Sequence, residues 1–337
     1  MVGNQKFYLR VGKKIFDLIL ERNITIIKDN SATGKSTLIR YIQNHIIAVK
    51  NTGQSEVKIK CDKPFYVLNA LNWDDAYVNT EKYKDSIIFI DEGNKFLTTV
   101  EFARFVDKTR SFFVLITRET CGSLAYSVNS ICELECKNNV YKLKSKYNTE
   151  DFNLLEIPQL IITEDSESGF TFFNSISKDI KCKSAGNNSN IINTVLDSDQ
   201  NLLLLIICDS AAFGAHYELL LKSIQDYNYH LFMPESFEYL ILNSGLFTDE
   251  LTQNILKNPG EYIDSNDYLT WERFFTNYLC RISKNTRLYY SKNKLNENYL
   301  ESDTMCKILK SAGLDSLNRL KLDENGINKQ VNKMNLF

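Results

Sequence analysis

The chain has 337 residues, of which 43% are apolar and 12% aromatic, enough for two separate hydrophobic cores, so two domains are expected. Its 40 basic and 42 acidic residues nearly cancel, which excludes a global field drawing it onto nucleic acid or a membrane; any nucleic-acid site must be a local patch. No apolar run approaches the roughly 20 residues that cross a bilayer, no signal-peptide core opens the chain, and eight scattered cysteines lack paired CxxC spacing, which together read as a cytoplasmic protein without disulfides.

In chain order, 7–20 reads as a hairpin feeding a first strand over 23–28. Strands follow at 64–69, 86–91 and 111–117, with a helix from 35 to about 47 after the first. Apolar runs alternating with helical stretches predict a parallel sheet covered by helices, an α/β class. A hairpin over 132–147 turns at Asn138-Asn139, a dipeptide that tolerates positive φ, and closes a first domain over 1–150. Cys132 and Cys136 have no second Cys or His pair nearby to complete a tetrahedral metal site. A polar stretch at 146–156 marks the boundary. A second βα series gives strands at 159–163, 201–208 and 229–233, each an apolar run that stops at a polar or acidic residue, as buried parallel strands do. This is a second α/β domain, over 151–250. The remainder, 251–337, reads as a helical extension with one or two amphipathic helices over 271–300, and its Asn/Lys-rich end from Asp323 is expected to fray.

Between the first strand and its helix stands Asp29-Asn30-Ser31-Ala32-Thr33-Gly34-Lys35-Ser36-Thr37. A loop of exposed backbone N–H groups at a helix N-terminus, where the dipole already favours negative charge, is suited to phosphate. The string resembles the Walker A motif of P-loop NTPases, departing from it at Asp29, where the family has glycine. The resemblance implies that Asn30, Ser31, Ala32, Thr33 and Gly34 wrap a triphosphate, ATP or GTP, that Lys35 reaches its β- and γ-phosphates, that Ser36 ligates Mg2+, and that Thr37 lies near the α-phosphate.

Further along, Ile87-Ile88-Phe89-Ile90-Asp91-Glu92 resembles a Walker B strand. The resemblance implies that Asp91 holds magnesium through water and that Glu92 polarises an attacking water. The plain alternative is a core strand ending in a solvated acidic turn. The next strand ends in Thr117-Arg118, where many such ATPases keep a polar sensor for the γ-phosphate; Arg118 is either that sensor or a solvated strand-end arginine. No LSGGQ-like signature precedes the Walker B strand, and Arg104, Arg110 and Arg118 are too few for a kinase lid. Nucleotide hydrolysis is the expected reaction.

In the second domain three acids fall at strand ends, where ligands of parallel sheets gather: Glu164, Asp209 and Glu235. Carboxylates brought together there are the oxygen ligands that magnesium prefers. Their placement, with the turn Ala185-Gly186-Asn187-Asn188-Ser189-Asn190 and with Asp209-Ser210-Ala211, resembles a Toprim domain, the metal-binding module of topoisomerases, primases and overcoming-lysogenization-defect nucleases. Glu164 matches the family's first acid and Asp209 the first of its Asp-x-Asp pair. Ala211 stands where the second aspartate belongs, with Glu235, Asp165, Glu167 or Glu218 as possible substitutes. Three unrelated acids at loop starts are the plain alternative.

Arg273, Arg281, Lys284, Arg287, Tyr289, Tyr290, Lys292 and Lys294 form a basic, aromatic stretch suited to phosphates and bases, or else a solvated helix face. The plan is similar to ATPase–Toprim phage-defence systems, and it implies a nucleotide-regulated enzyme acting on nucleic acid. A binding switch with an inactive Toprim-like domain, and a nucleotide kinase, are the rival readings. P-loop relatives often complete their sites between copies, so a homo-oligomer is a further expectation; no membrane partner is expected.

Overall fold

The computed structural model describes residues 3–28, 33–149 and 152–318. The frayed end expected from Asp323 lies outside them. The chain falls into two compact units: the described residues of 1–148 with 257–273, and those of 149–256 with 274–337. No helix among the described residues is long and apolar enough to cross a membrane.

In the first unit β1 (Gln5–Val11) and β2 (Lys14–Leu20) form an antiparallel hairpin, turning where Gly12 takes φ +54°. There follow β3 (Ile24–Ile27), α1 (Lys35–Thr52), β4 (Lys58–Lys60), β5 (Phe65–Leu68), α2 (Trp73–Val78), β6 (Ile87–Ile90), α3 (Val100–Thr109), β7 (Phe112–Ile116), β8 (Ile131–Lys137) and β9 (Val140–Ser145). Every residue of β3, β6 and β7 is buried, as befits strands covered on both faces. Helix α1 puts Leu38, Ile39 and Ile42 into one cluster with Phe7, Phe16, Leu18, Phe89 and Val114. Full burial of such a side chain is worth about 1.5–3 kcal/mol. The helix runs past the expected end at residue 47 to Gly53, which closes it at φ +72°; Ile47 and Val49 are exposed, so the apolar period fades before the helix does.

The strands make one nine-stranded sheet in the order β4-β1-β2-β9-β8-β3-β7-β6-β5. Its core, β8-β3-β7-β6-β5, is parallel. The sheet as a whole is mixed, because both hairpins extend its edge: β9 turns back on β8 through Asn138 (φ +53°) and Asn139 (φ +64°), then pairs with β2. Segment 257–273 returns to this unit. The Asn23 amide nitrogen donates to the Ser265 carbonyl at 3.1 Å, Arg110 donates to the carbonyls of Asn266 and Asp267 at 2.9 Å each, and the Arg22 guanidinium lies 3.4 Å from the centroid of the Trp271 ring. The stretch 251–337 is therefore divided between the two units and is not one extension.

The second unit contains β10 (Leu160–Thr163), α4 (Ser168–Asn174), β11 (Lys181–Ser184), α5 (Ile191–Leu196), β12 (Leu203–Ile207), α6 (Gly214–Ser223), β13 (Asn228–Phe232) and α7 (Phe237–Ile241). Its sheet is wholly parallel, in the order β11-β10-β12-β13. Beyond it come α8 (Glu250–Lys257), α9 (Trp271–Ser283) and α10 (Ser302–Ser311). The helical reading of 271–300 holds to Ser283 and again only for one 3-10 turn at Glu297–Leu300. The Ser283 hydroxyl accepts the Tyr290 backbone N–H at 2.9 Å, and the Asn296 and Asn298 amides donate to the Arg287 carbonyl at 3.0 and 2.9 Å, so polar side chains satisfy backbone groups that a helix would have used.

Candidate functional site

Two sheet edges collect the chemistry, one in each unit. In the first, β7 lies between β3 and β6. Ile27 is level with Ile116 and Ile90 with Leu115, so the residues following β3, β7 and β6 leave the sheet on one edge. The Lys28 backbone N–H donates to the Cys132 carbonyl at 2.8 Å, which ties the start of the loop to β8. Asp29, Asn30, Ser31 and Ala32 lie outside the described residues. Gly34 caps α1 at φ +100°, a conformation that favours glycine, and a Cβ there would meet the Tyr141 ring at 3.0 Å and push it aside. Lys35 is buried and its Nζ donates to Thr33 Oγ1 at 3.1 Å. Ser36 is exposed on the first turn and Thr37 half-buried.

Across this edge, burial raises the carboxyl pKa of Asp91 and the neighbouring Glu92 charge adds to it. The Glu92 backbone N–H, 2.9 Å from Asp91 Oδ1, and the positive charge of Lys35 oppose the rise. Arg118 Nε stands 3.7 Å from Glu92 Oε2, with both side chains largely exposed, a pair worth under about 1 kcal/mol. Thr117 is buried and its hydroxyl accepts the Glu119 N–H at 3.0 Å. The edge thus assembles a lysine on a helix N-terminus, an aspartate within its field, and a glutamate facing an arginine.

In the second unit the chain leaves β10 for β11 on one side and returns to β12 on the other. This reversal makes a crevice at the carboxyl ends of β10 and β12. Glu164 follows β10, and its carboxylate Oε2 accepts the Asp209 backbone N–H at 3.0 Å; the Asn188 amide, oriented with its nitrogen toward the carboxylate, donates to the same oxygen at 2.7 Å. The turn carrying Asn188 is fixed by Asn187 Oδ1, which accepts the Asn190 N–H at 3.0 Å, and by the Asn190 amide on the Ala185 carbonyl at 2.9 Å. Glu164, the 185–190 turn and Asp209 therefore do come together. Glu164 and Asp209 border a cavity of about 20 Å³ with Thr163, Asp165, Pro234 and Phe237 also in its wall, room for about one water.

Asp165 caps α4, its carboxylate accepting the N–H groups of Gly169 and Phe170 at 3.1 and 2.9 Å, while burial raises its pKa. Glu235 enters through its main chain: its carbonyl accepts the Ala211 N–H at 3.2 Å. Among the described residues no three His, Cys, Asp or Glu side chains are grouped to hold a metal ion, so Glu164, Asp209 and Glu235 do not make the expected three-carboxylate set.

Beside this edge lies a pair that the sequence reading missed. Glu238, 2% exposed, accepts the Tyr290 hydroxyl at 2.9 Å, and burial followed by the Glu238 charge drives that hydroxyl pKa far upward. The Ser168 hydroxyl and N–H hold the carbonyls of Ser291 and Lys292 at 2.9 and 3.2 Å, which brings the 284–296 connection onto α4. A lone acid within Phe237-Glu238-Tyr239-Leu240-Ile241 was the available signal. Tyr290, expected to stack on bases, is 1% exposed and cannot; Tyr289 is exposed. Arg287 is engaged by Glu301 and by Asn298. Arg273 belongs to the first unit, whereas Arg281 and the residues up to Lys294 belong to the second. No family model, curated protein or solved structure matches the chain.

Proposed function

We propose that the first unit is a P-loop domain that binds a nucleoside triphosphate with magnesium and hydrolyses it, and that the second is a Toprim-like domain through which nucleotide state governs an action on nucleic acid. The observation that carries the first half is the strand order. With β7 between β3 and β6, Lys35, Asp91, Glu92, Thr117 and Arg118 all arise from one sheet edge. The residues present suit the ligand: Gly34 takes the left-handed turn that opens α1, and the first helical turn presents Lys35 and Ser36.

Lys35 would neutralise phosphate oxygens, Ser36 and Asp91 would hold magnesium, and Arg118 would sense the γ-phosphate. Bound magnesium supplies charge neutralisation on the oxygens of the phosphate being transferred. Glu92 is the general base. In that role its side chain would orient and deprotonate a water. Calorimetry with MgATP and MgGTP tests this: Lys35→Ala should abolish uptake, and Glu92→Gln should retain binding while hydrolysis falls about a hundredfold or more. Equal uptake by Lys35→Ala and the parent would end the proposal.

The second unit admits two readings. A metal-dependent nuclease would use Glu164 and Asp209, and its cleavage of plasmid DNA or RNA with magnesium or manganese would be lost in Glu164→Ala. The rival is an inactive relative that serves as a binding switch. It is favoured by Ala211 and by the Glu164 carboxylate, which is already taken up by the Asp209 N–H and the Asn188 amide. Equal behaviour of Glu164→Ala and the parent in the cleavage assay would leave the switch.

A further inference from the structure

The ladder joining β2 to β9 consists of Ile15 with Val140 and Phe16 with Tyr141, although β2 continues to Leu20 and β9 to Ser145. Beyond those two pairs the strands part, and the opening holds a cavity of about 200 Å³, the liquid volume of about seven waters. It lies toward the start of β3, at Thr25, whereas the phosphate-binding loop follows the other end of that strand. Its wall is polar: Thr25 from β3, Asn129 and Ser130 from the turn before β8, and Glu21 and Arg22 from the connection between β2 and β3.

Ser130 is 4% exposed and its hydroxyl has no hydrogen-bond partner. Native proteins rarely leave a buried polar group so, unless a ligand or water completes it. The Arg22 guanidinium carbon lies over the Trp271 ring, 3.4 Å from its centroid. A guanidinium carries its five N–H donors in a planar fork that matches a carboxylate. Glu21, exposed, sets a carboxylate in the same wall. Cys132 also faces the cavity, but burial pushes its thiol up to about 12, so it serves as wall and not as nucleophile.

A cation, an anion and an unpaired hydroxyl around a space of this size match a molecule carrying both charges. We infer that the cavity is a binding site for a small zwitterion of the α-amino-acid class, with its carboxylate on Arg22, its ammonium on Glu21 and a polar group within reach of Ser130. This site is independent of the nucleotide edge.

The test is thermal melting and calorimetry of the full chain with the standard L-amino acids as probes. At least one should bind saturably and raise Tm by about 5 °C or more at a hundred times its Kd. Its methyl ester and its N-acetyl derivative should each bind about tenfold more weakly. Arg22→Gln and Glu21→Gln should each cost about tenfold, and Ser130→Ala should cost less but measurably. Glu21 is exposed, so its variant keeps the test sound if Arg22→Gln melts early. Lys35→Ala should bind the amino acid as the parent does. No saturable binder among the probes, binding that survives Glu21→Gln undiminished, binding lost with Lys35, or a crystal at saturating amino acid with water alone in the cavity would each overturn the inference.

Discussion

At Gly34 two demands coincide, a left-handed φ of +100° and a Tyr141 ring that would stand 3.0 Å from any Cβ. Gly34→Ala should therefore destabilise the chain by about 1–3 kcal/mol through backbone strain and a displaced ring, and should weaken MgATP binding as well. Denaturant unfolding with and without nucleotide checks both effects. Tyr290 tests the other edge. Tyr290→Phe removes the hydroxyl that Glu238 accepts at 2.9 Å in a buried setting, which should cost about 1–3 kcal/mol without changing the far-UV spectrum. A loss below a few tenths would mean that Glu238 is satisfied without the tyrosine.

Among the elements, α8 begins with a cap that can be read in stability. Asp249 accepts the Thr252 N–H at 3.0 Å and its hydroxyl at 2.6 Å, and these bonds hold the Asp249 carboxyl below its ordinary value. The folded pKa lies under the unfolded one, so the cap's contribution is complete above about pH 4 and is lost as pH falls through the folded value. Asp249→Ala should cost about 1 kcal/mol at pH 7, and the difference from the parent should shrink in acid, measured by urea unfolding across pH. The parallel strands and α1 were legible in the sequence because β6 and β7 are unbroken apolar runs, β3 and β10 are apolar but for one threonine each, and Gly34-Lys35-Ser36-Thr37 follows one of them. Other features were illegible for a common reason. The β2–β9 ladder, the Glu238–Tyr290 bond and the end of α9 at Ser283 depend on partners distant in sequence or on side chains bonding to backbone, which no local period announces. The Glu164–Asp209 pairing was legible as two strand ends, but the Asn188 amide on Glu164 was not, since an asparagine in a turn usually bonds its own main chain.

For the whole molecule the decisive fact is that 257–273 belongs with 1–148. A fragment ending at residue 148 loses the Arg22–Trp271 stack, the Asn23 bond to Ser265 and both Arg110 bonds, together about 3–6 kcal/mol. It should melt well below the intact chain, and a synthetic 257–273 peptide added in trans should recover part of the difference; a fragment as stable as the whole would show those contacts to be idle. The same return has a consequence during synthesis. A ribosome works from the N-terminus, yet Trp271, which Arg22 stacks on, is made only after the whole second parallel sheet has emerged. The first unit must wait, incomplete, while a later-made sheet has time to form.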